Sequence, residues 1–258
     1  MNCSNTYGLD GNNLPIEIAR GNIGGALPFG AYGEINTGGA VTNRLLWADG
    51  IWYIPNQTTG EQISVQSTSA SDGVGGTGIR SVHVHYLDDT LTPQSEEIIL
   101  NGLTPVLSIA TNIRFIQCAH MDTYGSSKAA VGTITFTNIA QTQTYNQIDP
   151  LQARCSSSAR MVPAGKRFIL MGLVGSSVST TADSYAIIRI AASVFEGHDY
   201  TNDAILIPYG NIGVQNNGIP FILPVPFVFE AGVIIGMTCT TNKAAIVTGD
   251  YFGWLEGA

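Results

Sequence analysis

Charge is what this sequence has least of. Asp, Glu, Lys and Arg together make up 12% of the 258 residues, against about 25% in an ordinary soluble domain. The basic residues are scattered singly apart from Lys166–Arg167, and the net charge is −8. Binding to nucleic-acid phosphates needs clustered Lys and Arg, so no nucleic-acid partner is expected. Cysteine is sparse as well: Cys3, Cys118, Cys155 and Cys239 form no C-x-x-C pair, which excludes a zinc ribbon or a thioredoxin-like site. No long apolar run is uninterrupted. The stretch 219–237 carries Pro220, Pro224, Pro226, Glu230 and two glycines, a poor membrane helix. The opening residues show no basic segment followed by an apolar one, so a soluble chain made in a cytoplasm, with no membrane partner, is expected. An amphipathic helical stripe and a fixed-period repeat are both missing.

What is present is strand patterning between turn signals. In 80–87, Val82, Val84 and Tyr86 alternate with Ser81, His83 and His85; in 132–137, Ile134 and Phe136 alternate with threonines. Period-two alternation marks half-buried strands. Further strands are expected at 51–54, 61–67, 95–100, 112–120, 167–174, 185–195, 204–208, 219–229, 232–240 and 244–255. Pro224 and Pro226 confine their segment to an edge or a bulge. The polar stretch 141–158, with Asp149 and Pro150, reads as a boundary. The fold class expected is all-β, an antiparallel β-sandwich or jelly-roll-like fold. Residues 1–46 read as an extended Gly/Asn-rich arm, 47–148 as a first β-sandwich domain and 149–258 as a second.

Few motifs carry chemistry. Gly73–Gly78 satisfies G-x-G-x-x-G, but it enters a strand, whereas a dinucleotide site needs the loop to open a helix. His83 and His85 share one strand face, and Cys118, His120 and Asp122 repeat the i, i+2, i+4 arrangement further on. If those strands were neighbours a metal site would become feasible; alternating polar residues are also the ordinary solvent face of a strand, so neither metal nor cofactor is expected. The acids Asp88, Asp89, Glu96 and Glu97 are adjacent pairs, not carboxyls set across a cleft, and no nucleophile elbow appears. Trp47, Trp52, Tyr53 and Trp254 could stack on sugars, but such residues more often serve cores and interfaces. No enzyme is expected.

The order of motifs goes further. STSASDGVGGTGIRSVHV at 67–84 is followed by YLD at 86–88, SEEIILNGLTPV at 95–106, IRFI at 113–116 and GTIT at 132–135. MVPAGK at 161–166 and FGWLE at 252–256 come later. Over residues 60–258 this resembles a module of auxiliary structural proteins of tailed bacteriophages, of the marine or cyanobacterial type. It departs at Leu103, where Thr is expected, and at the strand carrying His83 and His85, which leaves any special role of those histidines open. The resemblance implies a virion component, assembled in the host cytoplasm, with no catalytic residues to transfer. The first expectation is a capsid decoration or cement protein. It would bind the major capsid protein or other virion proteins and its own copies, as a dimer or trimer. The alternative is a head-fibre, neck or tail module recognising a host surface glycan. The assembly surface is expected on the arm (Leu14, Ile16, Ile18, Ile23, Leu27, Phe29) and on the proline-interrupted strand (Phe221, Leu223, Val225, Phe227).

Overall fold

A computed structural model describes residues 24–47, 52–193, 205–206, 212–214 and 219–258. Among these there is no helix. Strands in the first part of the chain are β1 (Leu27–Asn36), β2 (Val41–Leu45), β3 (Ile63–Ser67), β4 (Ile79–Leu87), β5 (Pro93–Ile99) and β6 (Val106–Leu107). There follow β7 (Phe115–Tyr124), β8 (Ile134–Asn138), β9 (Thr144–Ile148), β10 (Arg160–Met161), β11 (Lys166–Val178) and β12 (Ala186–Ser193). The last are β13 (Ile205–Leu206), β14 (Ile212–Val214), β15 (Ile219–Phe229), β16 (Ile234–Thr241) and β17 (Ile246–Gly257). Every pairing between them is antiparallel.

The strands form four sheets. Sheets β6-β3-β8-β9 and β5-β4-β7 belong to the middle of the chain and share one apolar core that includes Val65, Val84, Ile98, Ile134, Phe136 and Tyr145. The alternation read from the sequence is visible here: Val82, Val84, Ile134 and Phe136 are fully buried. The other two sheets, β1-β17-β11-β15 and one built on β16-β12, share a second core around Phe168, Leu173, Ile188, Met237 and Tyr251. In this second unit the pairings are nested. β1 pairs with β17, β2 with β16, β11 with β15, and β12 with β14. Because β10 also pairs with β16, the first unit is an insertion between β2 and β10.

Residues 27–45, read from sequence as part of an arm, supply two strands of the second unit. β1 runs in register with β17 from Leu27↔Leu255 to Asn36↔Ile246. Within β1 glycine permits close approach: a Cβ at Gly30 would run into the Tyr251 carbonyl oxygen. The boundary expected at 148/149 also lies elsewhere. After β9 the chain turns back along β7, with Met121 N–H donating to Ala153 O and Cys155 N–H to Ala119 O, and Cys155 is buried in the first core. Residues 52–56 form no strand, although Trp52 is buried. β15 is both an edge strand and bulged. Its ladder jumps from Phe227 opposite Leu170 to Ile222 opposite Gly172, which leaves Pro224 and Pro226 without ladder partners, as their missing N–H requires.

A third apolar cluster joins the units: Leu45, Trp47, Trp52, Leu87, Phe115, Ala159, Met161, Ala191 and Ile234. Trp52 meets Phe115 edge-on at 6.0 Å between ring centroids, and its indole N–H donates to Tyr145 O at 2.8 Å. Burying side chains of this size contributes about 1.5–3 kcal/mol each, so the seam between the units is a core in its own right.

Candidate functional site: the seam between the two β units

Strand register decides which polar side chains meet. β4 lies between β5 and β7. This sets His83 opposite Glu97 on one side and His120 on the other, and His85 opposite Ser95 and Cys118. The two strand faces singled out in the sequence are therefore neighbours. The ring centroids of His83, His85 and His120 are 4.9, 5.6 and 5.3 Å apart, with planes inclined by 18–42°. Among the described residues no group of three or more His, Cys, Asp or Glu is placed to hold a metal ion.

The histidine face runs into the seam. A cavity of 250 Å³ is lined by Tyr32, Cys118, His120, Arg154 and Arg160 among others. A second, of 330 Å³, takes in Phe29, His85, Gln117 and Arg160. A third, of 360 Å³, is polar, with Tyr32, Glu34, Asn36, Asp149, Gln152 and Arg154 in its wall. The units are stitched here. The Gln117 amide donates to Met161 O and accepts from Met161 N–H at 3.2 Å, and Glu34 N–H donates to Ser156 O at 3.1 Å. Arg160 is fixed by donating to Ser157 O and Ala159 O.

Burial sets the titration behaviour of this region. The Tyr32 hydroxyl donates to Glu34 at 2.6 Å. Desolvation, that bond and the Glu34 charge push the phenol up to about 12. Burial raises the Asp250 carboxyl above its ordinary range, opposed by Arg154 and Arg160. The His85 imidazole is held below its usual value by burial first, then by His83 and His120. Burial raises the Cys118 thiol, with Arg160 working against it.

The glycine-rich motif has a structural task. Asp72, fully buried, accepts from the Ser67 hydroxyl at 2.7 Å and from the N–H groups of Ile79, Val131 and Gly132 at 2.9, 3.0 and 2.8 Å. A Cβ on Gly78 would collide with that carboxylate. The motif is thus a loop wrapped round an acid that pins residues 67–79 to 131–132. The other acids also serve loops: Asp88 accepts from Thr90 and Thr92, and Glu96 from Ile109 and Ala110.

The residues expected at an assembly surface are dispersed. Leu14, Ile16, Ile18 and Ile23 lie outside the described residues, as do the side chains of Phe221 and Val225. Leu27 is exposed at the start of β1, whereas Phe29 packs edge-on against Phe168 at 5.0 Å. Leu223 is buried in the second core and Phe227 packs against it; their neighbours Ile222 and Val228 are the exposed apolar residues of β15. Trp47 and Trp52 belong to the seam core and offer no face to a sugar. Tyr32, Arg154 and Arg160 were not singled out from the sequence. They meet the histidines only through pairing of distant segments, such as the bridge between His120 and Arg154.

No family model matches the chain, and no curated protein matches it. Among the solved structures with a distant overlap, three are from infectious bursal disease virus. The Gt-strain structure aligns at 11% identity over 89% of this chain and 71% of that one, with a TM-score of 0.20. The Gx strain gives 12% over 89% and 71% at 0.19. The virus-derived T=1 particle gives 9% over 90% and 78% at 0.16. Likeness at this level carries no argument about fold or function, which rest on the strands themselves.

Proposed function

We propose that this chain is a non-enzymatic structural component of a virus particle, built on a jelly roll with a second β-sandwich inserted into it. The observation that carries the reading is the nested pairing of the second unit. Leaving aside the two-residue strands β10 and β13, first strand with last, second with second-last, third with third-last and fourth with fifth is the pattern produced by wrapping one long antiparallel hairpin round a core. This supports reading it as the double Greek key of jelly rolls, which serve as viral capsid, lectin and cupin domains. The space between the sheets is filled by Phe168, Leu173, Ile188, Met237 and Tyr251, which speaks against an enclosed, cupin-like ligand; the choice of a particle component over a lectin rests on the motif resemblance and the surface composition. Low charge and an apolar fraction of 44% fit a surface partly covered by neighbours.

Within that class, the motif resemblance favours a decoration or cement protein of a tailed bacteriophage that binds the major capsid protein and its own copies. Exposed Ile222, Val228 and Val178 on the sheet of β11 and β15 supply apolar contact area, and Leu14, Ile16, Ile18 and Ile23 add anchors ahead of β1. The test is sedimentation of the purified chain, whole and lacking residues 1–23. A dimer or trimer that reverts to monomer on truncation is expected. A whole chain that stays monomeric and binds no capsid contradicts the reading.

One observation favours a second reading, a receptor-binding module. The polar cavity at the seam mixes carboxylates, amides, a guanidinium and a phenol, the donors and acceptors that hydroxyl-rich glycans engage. Glycan-array binding abolished by Arg154→Ala would support it.

A further inference from the structure

Three of the four histidines in the chain converge on one sheet face, with ring centroids within 5.6 Å of one another. Two of them open into the seam. His120 lines a cavity with Arg154, Arg160 and Tyr32, and His85 lines another with Arg160 and Phe29. We propose that His83, His85 and His120 form a proton-sensitive element that loosens the seam between the two β units as the medium turns acidic.

The geometry supplies the reason. Neutral imidazoles pack side by side at this spacing, whereas three imidazolium ions would repel across about 5 Å, well inside the screening length of about 8 Å at physiological salt. The surrounding charges are of both signs. Glu97 faces His83 from β5, and Asp122 lies two residues beyond His120 on β7; Glu97 and Asp122 are both exposed. On the seam side stand Arg154, opposite His120, and Arg160, with the Asp250 carboxyl near both and Glu34 and Asp149 in a cavity wall with Arg154, while Cys118 opposite His85 is uncharged, its thiol raised by burial. Protonation therefore adds positive charge beside two guanidiniums, at the place where the Gln117–Met161 bonds and the Trp47/Trp52 cluster hold the units together.

The sign follows from linkage. His85 titrates lower in the folded chain than its ordinary 6.5, so between those values the unfolded chain binds more protons. The stability it contributes is complete above 6.5 and is lost as pH falls through that value towards the folded one. Asp250 works in the opposite sense, because its carboxyl is raised from 3.8; replacing only the histidines separates the two.

The test uses the full chain with a chelator present, at fixed ionic strength, between pH about 7.5 and 5.5. Melting temperature and tryptophan emission are read for wild type, for the triple variant His83→Gln/His85→Gln/His120→Gln, and for His85→Gln and His120→Gln singly. Wild type should lose at least about 3 °C over this range, with a red shift of emission as Trp47 and Trp52 gain water. The triple variant should lose less than a third of that; if it does not fold, each single variant should show a reduced slope. A wild-type profile that is flat, or unchanged in the variants, overturns the proposal. So does a loss of melting temperature with no change in emission, which would place the effect away from the seam.

Discussion

Replacing Asp72 tests how the glycine-rich motif holds the inserted unit. Four donors converge on its two oxygens. The Ile79 and Val131 N–H groups reach Oδ1, while the Ser67 hydroxyl and Gly132 N–H reach Oδ2. No acceptor is turned towards it, so an ionised carboxylate satisfies every neighbour. Asp72→Asn keeps the shape but turns an NH₂ group at one pair of donors, leaving two buried donors facing a donor. Hydrogen bonds to charged groups contribute about 1.5–3 kcal/mol each, and an unsatisfied buried donor costs about 1–3 kcal/mol. Because the bonds share one carboxylate their losses do not add, and a net loss of about 2–4 kcal/mol is expected for Asn. Ala, which abandons all four donors, should cost about 3–5 kcal/mol. For a chain of this length that corresponds to about 5–15 °C in melting temperature for the Asn variant. Differential scanning calorimetry gives the shift, and amide exchange at Ile79, Val131 and Gly132 localises it. An Asn variant within about 1 °C of wild type would refute the assignment of Asp72 as the anchor.

Other outcomes follow from the same packing. Phe115→Ala should cost about 3–5 kcal/mol in a urea melt, since Phe115 is fully buried in the seam against Trp52. Gly30→Ala should lower the melting temperature through its clash with Tyr251, whereas Gly24→Ala, with open space around it, should not. Arg167→Gln should change stability by no more than about 1 kcal/mol, because its 2.7 Å pair with Glu256 is partly exposed. Cys239, its thiol pushed up to about 12 by burial, should resist alkylation at pH about 8 in the native chain and react once urea unfolds it.

How much was legible in the sequence depended on how local the signal was. Strands β4 and β8 advertised themselves by alternation, and the prolines of β15 announced an edge. β9 did not, because Thr144, Asn146 and Gln147 look like loop residues although Asn146 is buried beside Tyr145. β1 and β2 were hidden in a glycine-rich stretch whose partners lie about two hundred residues away, as in Leu27↔Leu255; no local pattern reports such a pairing. The practical consequence is that a truncation to residue 45 would strip two strands from the second unit, and one probing the arm must stop before Leu27. The histidine face was visible as two separate i, i+2 patterns, but its convergence depended on the register of β4 against β7. The arginines of the seam gave no signal, since a lone Arg154 or Arg160 in sequence is indistinguishable from a surface residue.

The central claim is that this chain is a structural part of a particle. On the proposed reading, its most direct test is the number of copies of the chain per purified virus particle, read by quantitative gel or mass spectrometry against the major capsid protein. A symmetric shell or decoration layer requires many copies in fixed ratio to the capsid protein, and that is the result predicted. Absence from purified virions would contradict the account, and a few copies confined to one end of the particle would replace the decoration role with the receptor-binding one.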